Sequence, residues 1–223
     1  MEIITAPAGG EQLDATDSMY PSYLRVVSGH EHFGVKAATY YGYVLSGTAQ
    51  LQGTEFQVSA GAGTFFSWPD ELALQATGLT VVICRLGFRG LLTVGRIESR
   101  GRLSYIDGCS STLLVTPPRL GDPVLNYLHF QPNTLQSEHS HSSIRLGVVA
   151  RGRGVAFRSN GVGGPSWERP IEAGSVFLLA GHERHAFSTA SDQCMEVVTY
   201  HPDSDWGPQD QSHPMLTRTN LLE

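Results

Sequence analysis

The segment Glu138-His-Ser-His-Ser-Ser-Ile-Arg145 holds the spacing with the most chemical promise in this chain. It leads into an apolar run, and residues two apart on a strand point to the same side. His139 and His141 are therefore expected to aim both imidazoles at one place. A neutral imidazole binds a first-row metal ion at about 2.0–2.1 Å, and a useful site needs a third ligand. His185, just after the turn-and-strand unit Gly174–Ala180, is the candidate. The chemistry implied is that of one divalent ion held by nitrogen.

Such residues need a scaffold. The chain has 25 Gly and 12 Pro, which cut it into short segments rich in β-branched and aromatic residues. Segments of about 4–8 residues between turn residues favour an all-β sandwich or barrel. The first series is 23–28, 40–45, 55–58, 63–67, 80–86 and 91–97; the second is 124–130, 144–150, 154–158, 175–179 and 195–201. No window sustains helical periodicity, so any helix should be one or two turns long.

An internal repeat ties the two series together. Tyr43-Val-Leu-Ser-Gly47 resembles Val148-Val-Ala-Arg-Gly152, and Ala60-Gly-Ala-Gly63-Thr-Phe-Phe66 resembles Ile171-Glu-Ala-Gly174-Ser-Val-Phe177. The second copy is longer, and its extra residues fit the loop Ser159–Ser166, where closure entropy grows slowly with length. Two copies of one β-unit are expected, residues 1–105 and residues 106–223, joined within 101–123.

The second copy resembles the cupin superfamily. The first cupin motif reads His-x-His, three residues, Glu, six residues, Gly; here His139, His141, Arg145 and Gly152 fall at those places. The second motif reads Gly, five residues, Pro, x, Gly, two residues, His, three residues, Asn; here the places are taken by Gly174, Ala180, His182, His185 and Thr189. The Gly and His anchors match, whereas Pro, the second Gly and Asn do not. His182, at the second Gly position, is expected to point to solvent. The resemblance implies two tandem cupin (double-stranded β-helix, or jelly-roll) barrels, with the metal in the second. Carrying the repeat back puts Gly34, Lys36 and Leu74 where the three histidines would stand, and His30-Glu-His32 sits four residues too early. The first barrel is then expected to be degenerate, serving as a packing partner or dimer interface.

Arg145 is the telling departure. Many cupins place a metal-binding carboxylate there, and a guanidinium stays protonated and cannot ligate. The pattern is similar to the three-His iron cupins, among them the thiol dioxygenases and the gentisate-type dioxygenases. It implies Fe(II), with Mn, Ni or Zn as competitors. A non-haem dioxygenase acting on a small anionic metabolite is expected, with Arg145 clamping the substrate carboxylate. Against the clamp stands an ordinary ion pair of Arg145 with Glu138 or a tail carboxylate. Against the dioxygenase stand a metal-dependent isomerase, lyase or hydrolase, in which the ion is a Lewis acid, and a non-catalytic binding or sensor module.

Composition limits the rest. A formal charge of −6 with scattered basic residues argues against a nucleic-acid surface. No stretch reaches 18 consecutive apolar residues, so no membrane span is expected. The N-terminus lacks the basic and apolar regions of a signal peptide. Cys84, Cys109 and Cys194 lack CxxC spacing and suit reduced thiols in the cytoplasm. A homodimer is expected. The polar tail from His201 to Met215, carrying Asp203, Asp205 and Trp206, reads as a lid over the site or as a surface strap.

Overall fold

The structure is a computed structural model, and it describes residues 1–159 and 165–204 of the 223-residue chain. The first strands are β1 (Glu2–Ile4), β2 (Gln12–Ala15), β3 (Ser22–Phe33), β4 (Ala38–Val44), β5 (Thr48–Gln52), β6 (Gln57–Gly61), β7 (Thr64–Pro69), β8 (Leu72–Leu86) and β9 (Thr93–Arg96). After them come β10 (Leu103–Ser104), β11 (Ser110–Val115), β12 (Val124–Phe130), β13 (Arg145–Ser159), β14 (Pro165–Glu172), β15 (Val176–Leu179), β16 (Ala186–Ser188) and β17 (Met195–His201). The only helical turn among the described residues is a 3-10 turn at Ile106–Gly108. The fold is all-β.

Two antiparallel sheets result. The first runs β2-β3-β8-β4-β7-β9, with β5 bridging β6 and β8. The second runs β11-β12-β17-β13-β15-β1, extended by β10 beyond β11, with β14 and β16 on the far part of β13. The two orders match strand for strand. The N-terminal strand β1 belongs to the second sheet, where Ile3 lies opposite Phe177.

The repeat holds at the level of single hydrogen bonds. Gly63 N–H donates to the Val44 carbonyl at 2.8 Å, and Gly174 N–H donates to the Val149 carbonyl at 2.9 Å. Gly42 sits under the Phe66 ring and Gly147 under the Phe177 ring; a Cβ on either glycine would come within 2.1 and 2.4 Å of the ring carbons. The length difference lies in one hairpin. Gln52 pairs with Gln57 in the first copy, and Phe157 with Glu168 in the second. The extra residues of the second copy thus fall between 157 and 168, a stretch that includes 160–164, outside the described residues.

Strand alternation divides each sheet between two cores. Tyr41, Tyr43, Val81 and Ile83 of the first sheet pack on Leu146, Val148, Val198 and Tyr200 of the second. The alternate residues turn away from that seam. Tyr40, Phe66, Leu72 and Val82 fill an apolar core within the first unit, and Phe130, Val149, Phe177 and Val197 fill one within the second. Central strands are therefore buried on both faces, as β4 is along its whole length. This is why they read as continuous apolar runs rather than clean alternation. Truncating one such side chain to Ala costs about 2–5 kcal/mol.

Two segments expected as separate strands, 144–150 and 154–158, form the single strand β13. It shifts register between Val149 and Arg151, and Gly152 adopts φ +72° there. A Cβ at Gly152 would stand 2.0 Å from the Cys194 carbonyl oxygen, so the bend requires glycine.

Candidate metal centre

His139, His141 and His185 converge at one end of the second unit. Their ligand nitrogens all lie within 4.8 Å of one another. Ring centroids are 5.0 Å apart for His139 and His141, 4.5 Å for His139 and His185, and 5.2 Å for His141 and His185. The expected strand through 139–141 is absent. β13 begins only at Arg145, and His139 makes an isolated antiparallel bridge to His185. The bridge replaces the strand as the positioning device. His139 N–H donates to the His185 carbonyl at 3.0 Å, and His185 N–H returns the bond at 2.9 Å. His182 N–H donates to the His141 carbonyl, so all three histidines are tied to the turn at 180–185.

Two of the rings are also oriented. The His139 Nδ1 lies 2.9 Å from the Ser137 carbonyl, and the His185 Nδ1 lies 3.0 Å from the Glu183 carbonyl. A carbonyl only accepts, so each Nδ1 carries the proton and each Nε2 keeps its lone pair for a metal. His185 is 2% exposed. Burial, followed by the neighbouring His139, His141 and Arg145, pushes its pKa down to about 2. It stays neutral, as a ligand must. The donor type, the tautomer of His139 and His185 and the uncharged state of His185 fit a divalent cation.

A cavity of about 20 Å³ lies over the rings, room for about one water molecule. Phe130, Phe177, Leu179, Phe187 and Val197 make its apolar wall. Gln136, Arg145, Thr199 and His201 supply polar groups, and the His201 ring lies 6.1 Å from that of His141. Arg145 is 1% exposed. Its Nη1 donates to Ser143 Oγ at 2.7 Å and to the Ile144 carbonyl at 2.8 Å, and stands 3.7 Å from Asp203 Oδ1. Ser143 Oγ donates to the same carboxylate oxygen at 2.6 Å. Glu138 does not take part: it pairs with Arg184 and accepts the Ser159 N–H. Of the tail, His201 lines the cavity and Asp203 meets Arg145. The remainder, with Asp205 and Trp206, lies outside the described residues.

With this geometry in hand, comparison with solved structures settles the scaffold. The protein Ylba from E. coli superposes with a TM-score of 0.65 at 15% identity, over 93% of this chain and 92% of that one. Salicylate 1,2-dioxygenase from Pseudoaminobacter salicylatoxidans, in complex with gentisate, gives 0.61 at 10% identity, over 88% and 76%. Oxalate decarboxylase from Bacillus subtilis, described with Mn(II) centres, gives 0.55 at 12% identity, over 91% and 75%. A cupin 2 conserved barrel domain protein from Leptotrichia buccalis gives 0.60 at 12% identity, over 89% and 88%. The fold is that of the cupins. No protein-family model matches the sequence, and no curated protein matches it.

His182 is exposed, as expected, and has φ +62°, the left-handed conformation that favours glycine. Histidine is among the residues that tolerate it. The strand pairing also corrects the expected correspondence between the halves. Val155 pairs with Ser188 as Gln50 pairs with Gln75, so the counterpart of His185 is Leu72 rather than Leu74. Leu72 pairs with Phe33, as His185 bridges to His139. Phe33 is therefore the counterpart of His139, in place of Gly34. Arg145 pairs with Leu179 as Tyr40 pairs with Trp68, which makes Tyr40 the counterpart of Arg145. His30 and His32 lie on β3, exposed to solvent.

Gln136 and Thr199 were not apparent as site residues from the sequence. For Thr199 a signal existed, since it alternates with Val197 and His201 on β17 and all three line the cavity. Gln136 carried none.

Proposed function

We propose that this chain is a two-cupin protein, with units at 1–105 and 106–223, whose second unit binds one divalent metal ion through His139, His141 and His185. It acts as a non-haem dioxygenase on a small carboxylate-bearing metabolite, with Fe(II) as the working ion. The observation that carries this reading is the donor set: three imidazoles with ligand nitrogens within 4.8 Å of one another, joined by no carboxylate among the described residues. When bound, Fe(II) would supply sites for substrate and O₂ and the electron transfer between them. The protein's own part is to orient the imidazoles, keep His185 uncharged by burial and present a largely apolar wall. Arg145 would hold the substrate's anion from inside the cavity, its guanidinium fixed by Ser143, Ile144 and Asp203. The likeness to salicylate 1,2-dioxygenase supports the reaction type.

One observation favours a second reading. His201 lines the cavity beside His141 and could carry a proton, as a metal-dependent lyase, isomerase or hydrolase would need. The likeness to an oxalate decarboxylase with Mn(II) centres points the same way. Anaerobic loading with Fe(II), followed by nitric oxide, separates the two. A nitrosyl signal in electron paramagnetic resonance and O₂ uptake with small carboxylic acids support the dioxygenase. Turnover without O₂ on Mn, Ni or Zn removes it. Arg145→Ala should weaken an anionic ligand by about 1.5–3 kcal/mol, the size of a charged hydrogen bond; unchanged binding removes the clamp. A cytoplasmic homodimer completes the proposal. Free thiols at Cys84 and Cys109, both buried, suit the compartment, and sedimentation checks the dimer.

A further inference from the structure

Two polar side chains at the cavity have no role in the metal set and no other evident purpose. Gln136 is 3% exposed and Thr199 is 4% exposed. Both line the cavity, yet Gln136 Oε1 and Thr199 Oγ1 have no hydrogen-bond partner among the described residues. A buried acceptor left dry keeps its full desolvation cost, so such atoms are rare unless something else satisfies them. Their positions are held by backbone. Gln136 N–H donates to the Phe187 carbonyl at 3.0 Å, and the neighbouring Leu135 bridges Ser188 and faces solvent. Alternation then turns Gln136 inward. Thr199 pairs with Gly147 on one side and Asn126 on the other, in the middle of the sheet.

We infer that Gln136 and Thr199 form a subsite that accepts hydrogen bonds beside the three imidazoles, and that the ligand of this site is a small carboxylate bearing an adjacent hydroxyl or amino group. The inference rests on the metal reading above and deepens it. An unpartnered amide oxygen asks its ligand for a donor, which a bare carboxylate lacks. Arg145, by contrast, offers donors to the carboxylate end. The cavity, at about 20 Å³, has room for about one water, so the ligand must be small, and the group it turns to Gln136 takes that water's place. A site whose buried polar group would be stranded by the wrong ligand discriminates strongly against it.

Glycolate and methoxyacetate test this, since both present a carboxylate and a neighbouring oxygen but only glycolate carries a donor. Each is titrated into the Co(II)-loaded full chain and followed by the visible spectrum of the ion. Glycolate should bind at least about ten-fold tighter in the wild type. Gln136→Leu should shrink that ratio at least about five-fold and Thr199→Val about two-fold or more, with Co(II) content unchanged. Gln136→Glu, which keeps an acceptor, should preserve the preference. Equal binding of the two acids, or a ratio that Gln136→Leu and Thr199→Val both leave unmoved, would overturn the subsite and leave only a buried water there. A chain that takes up no Co(II) would instead bring down the metal reading itself.

Discussion

In the first unit Phe33 pairs with Leu72 at the place where, in the second, His139 bridges to His185. Tyr40, whose ring lies 5.1 Å from that of Phe33, takes the place of Arg145. The strand order, the Gly63 and Gly174 hydrogen bonds and the glycine-under-phenyl contacts are otherwise shared. One scaffold thus carries two different corners. Where the corner is apolar it is filled by packing: Phe33 and Leu72 are 4% and 0% exposed. Where it is imidazole, a small cavity remains and a buried His must stay uncharged. The difference shows that the β-framework alone does not make the site. Three substitutions at the corner do, together with His141 on the approach to β13.

The largest effect is expected from making the second corner like the first. His185→Leu should abolish metal binding while the protein stays folded, as Leu72 shows the position accepts; metal analysis and circular dichroism check this. Next comes damage to the apolar corner. Leu72→Ala should cost about 2–5 kcal/mol in urea unfolding, with metal content untouched. A smaller effect should sharpen the comparison: Gly42→Ala and Gly147→Ala each force a Cβ against a buried ring, for about 1–3 kcal/mol. Only Gly147→Ala should also disturb metal affinity, because Phe177 lines the cavity.

The smallest effect is a pH slope. The unfolded chain protonates His185 near its ordinary value of 6.5, whereas the folded metal-free protein refuses the proton down to about 2. The unfolded state binds more protons in that window, so stability falls as pH drops below about 6.5, by at most about 1.4 kcal/mol per unit from this group. His185→Gln should flatten the slope between about pH 6 and pH 4.5. Equal slopes in denaturant titrations would contradict the burial argument.

Much of this was legible beforehand for a physical reason. Strands β12 and β17 match the expected segments residue for residue, because turn residues bound strong apolar runs. The grouping of the three histidines was legible because their spacing forms a pattern along the chain. The Phe33–Leu72 counterpart was not, since apolar residues that fill a corner look like any other core. Nor was the route of β1 into the second sheet, whose three residues Glu2–Ile4 carry little pattern of their own. For Arg145 the sequence left the partner open between Glu138 and a tail carboxylate, and folding brings Asp203 beside it, 58 positions along the chain.

Elemental analysis of the metal-loaded chain, beside its His30→Ala/His32→Ala and His139→Ala variants, tests the central claim most directly. One ion per chain is expected in the wild type and in the double variant, and none in His139→Ala. An ion retained by His139→Ala, or lost when the exposed pair on β3 is removed, would contradict it.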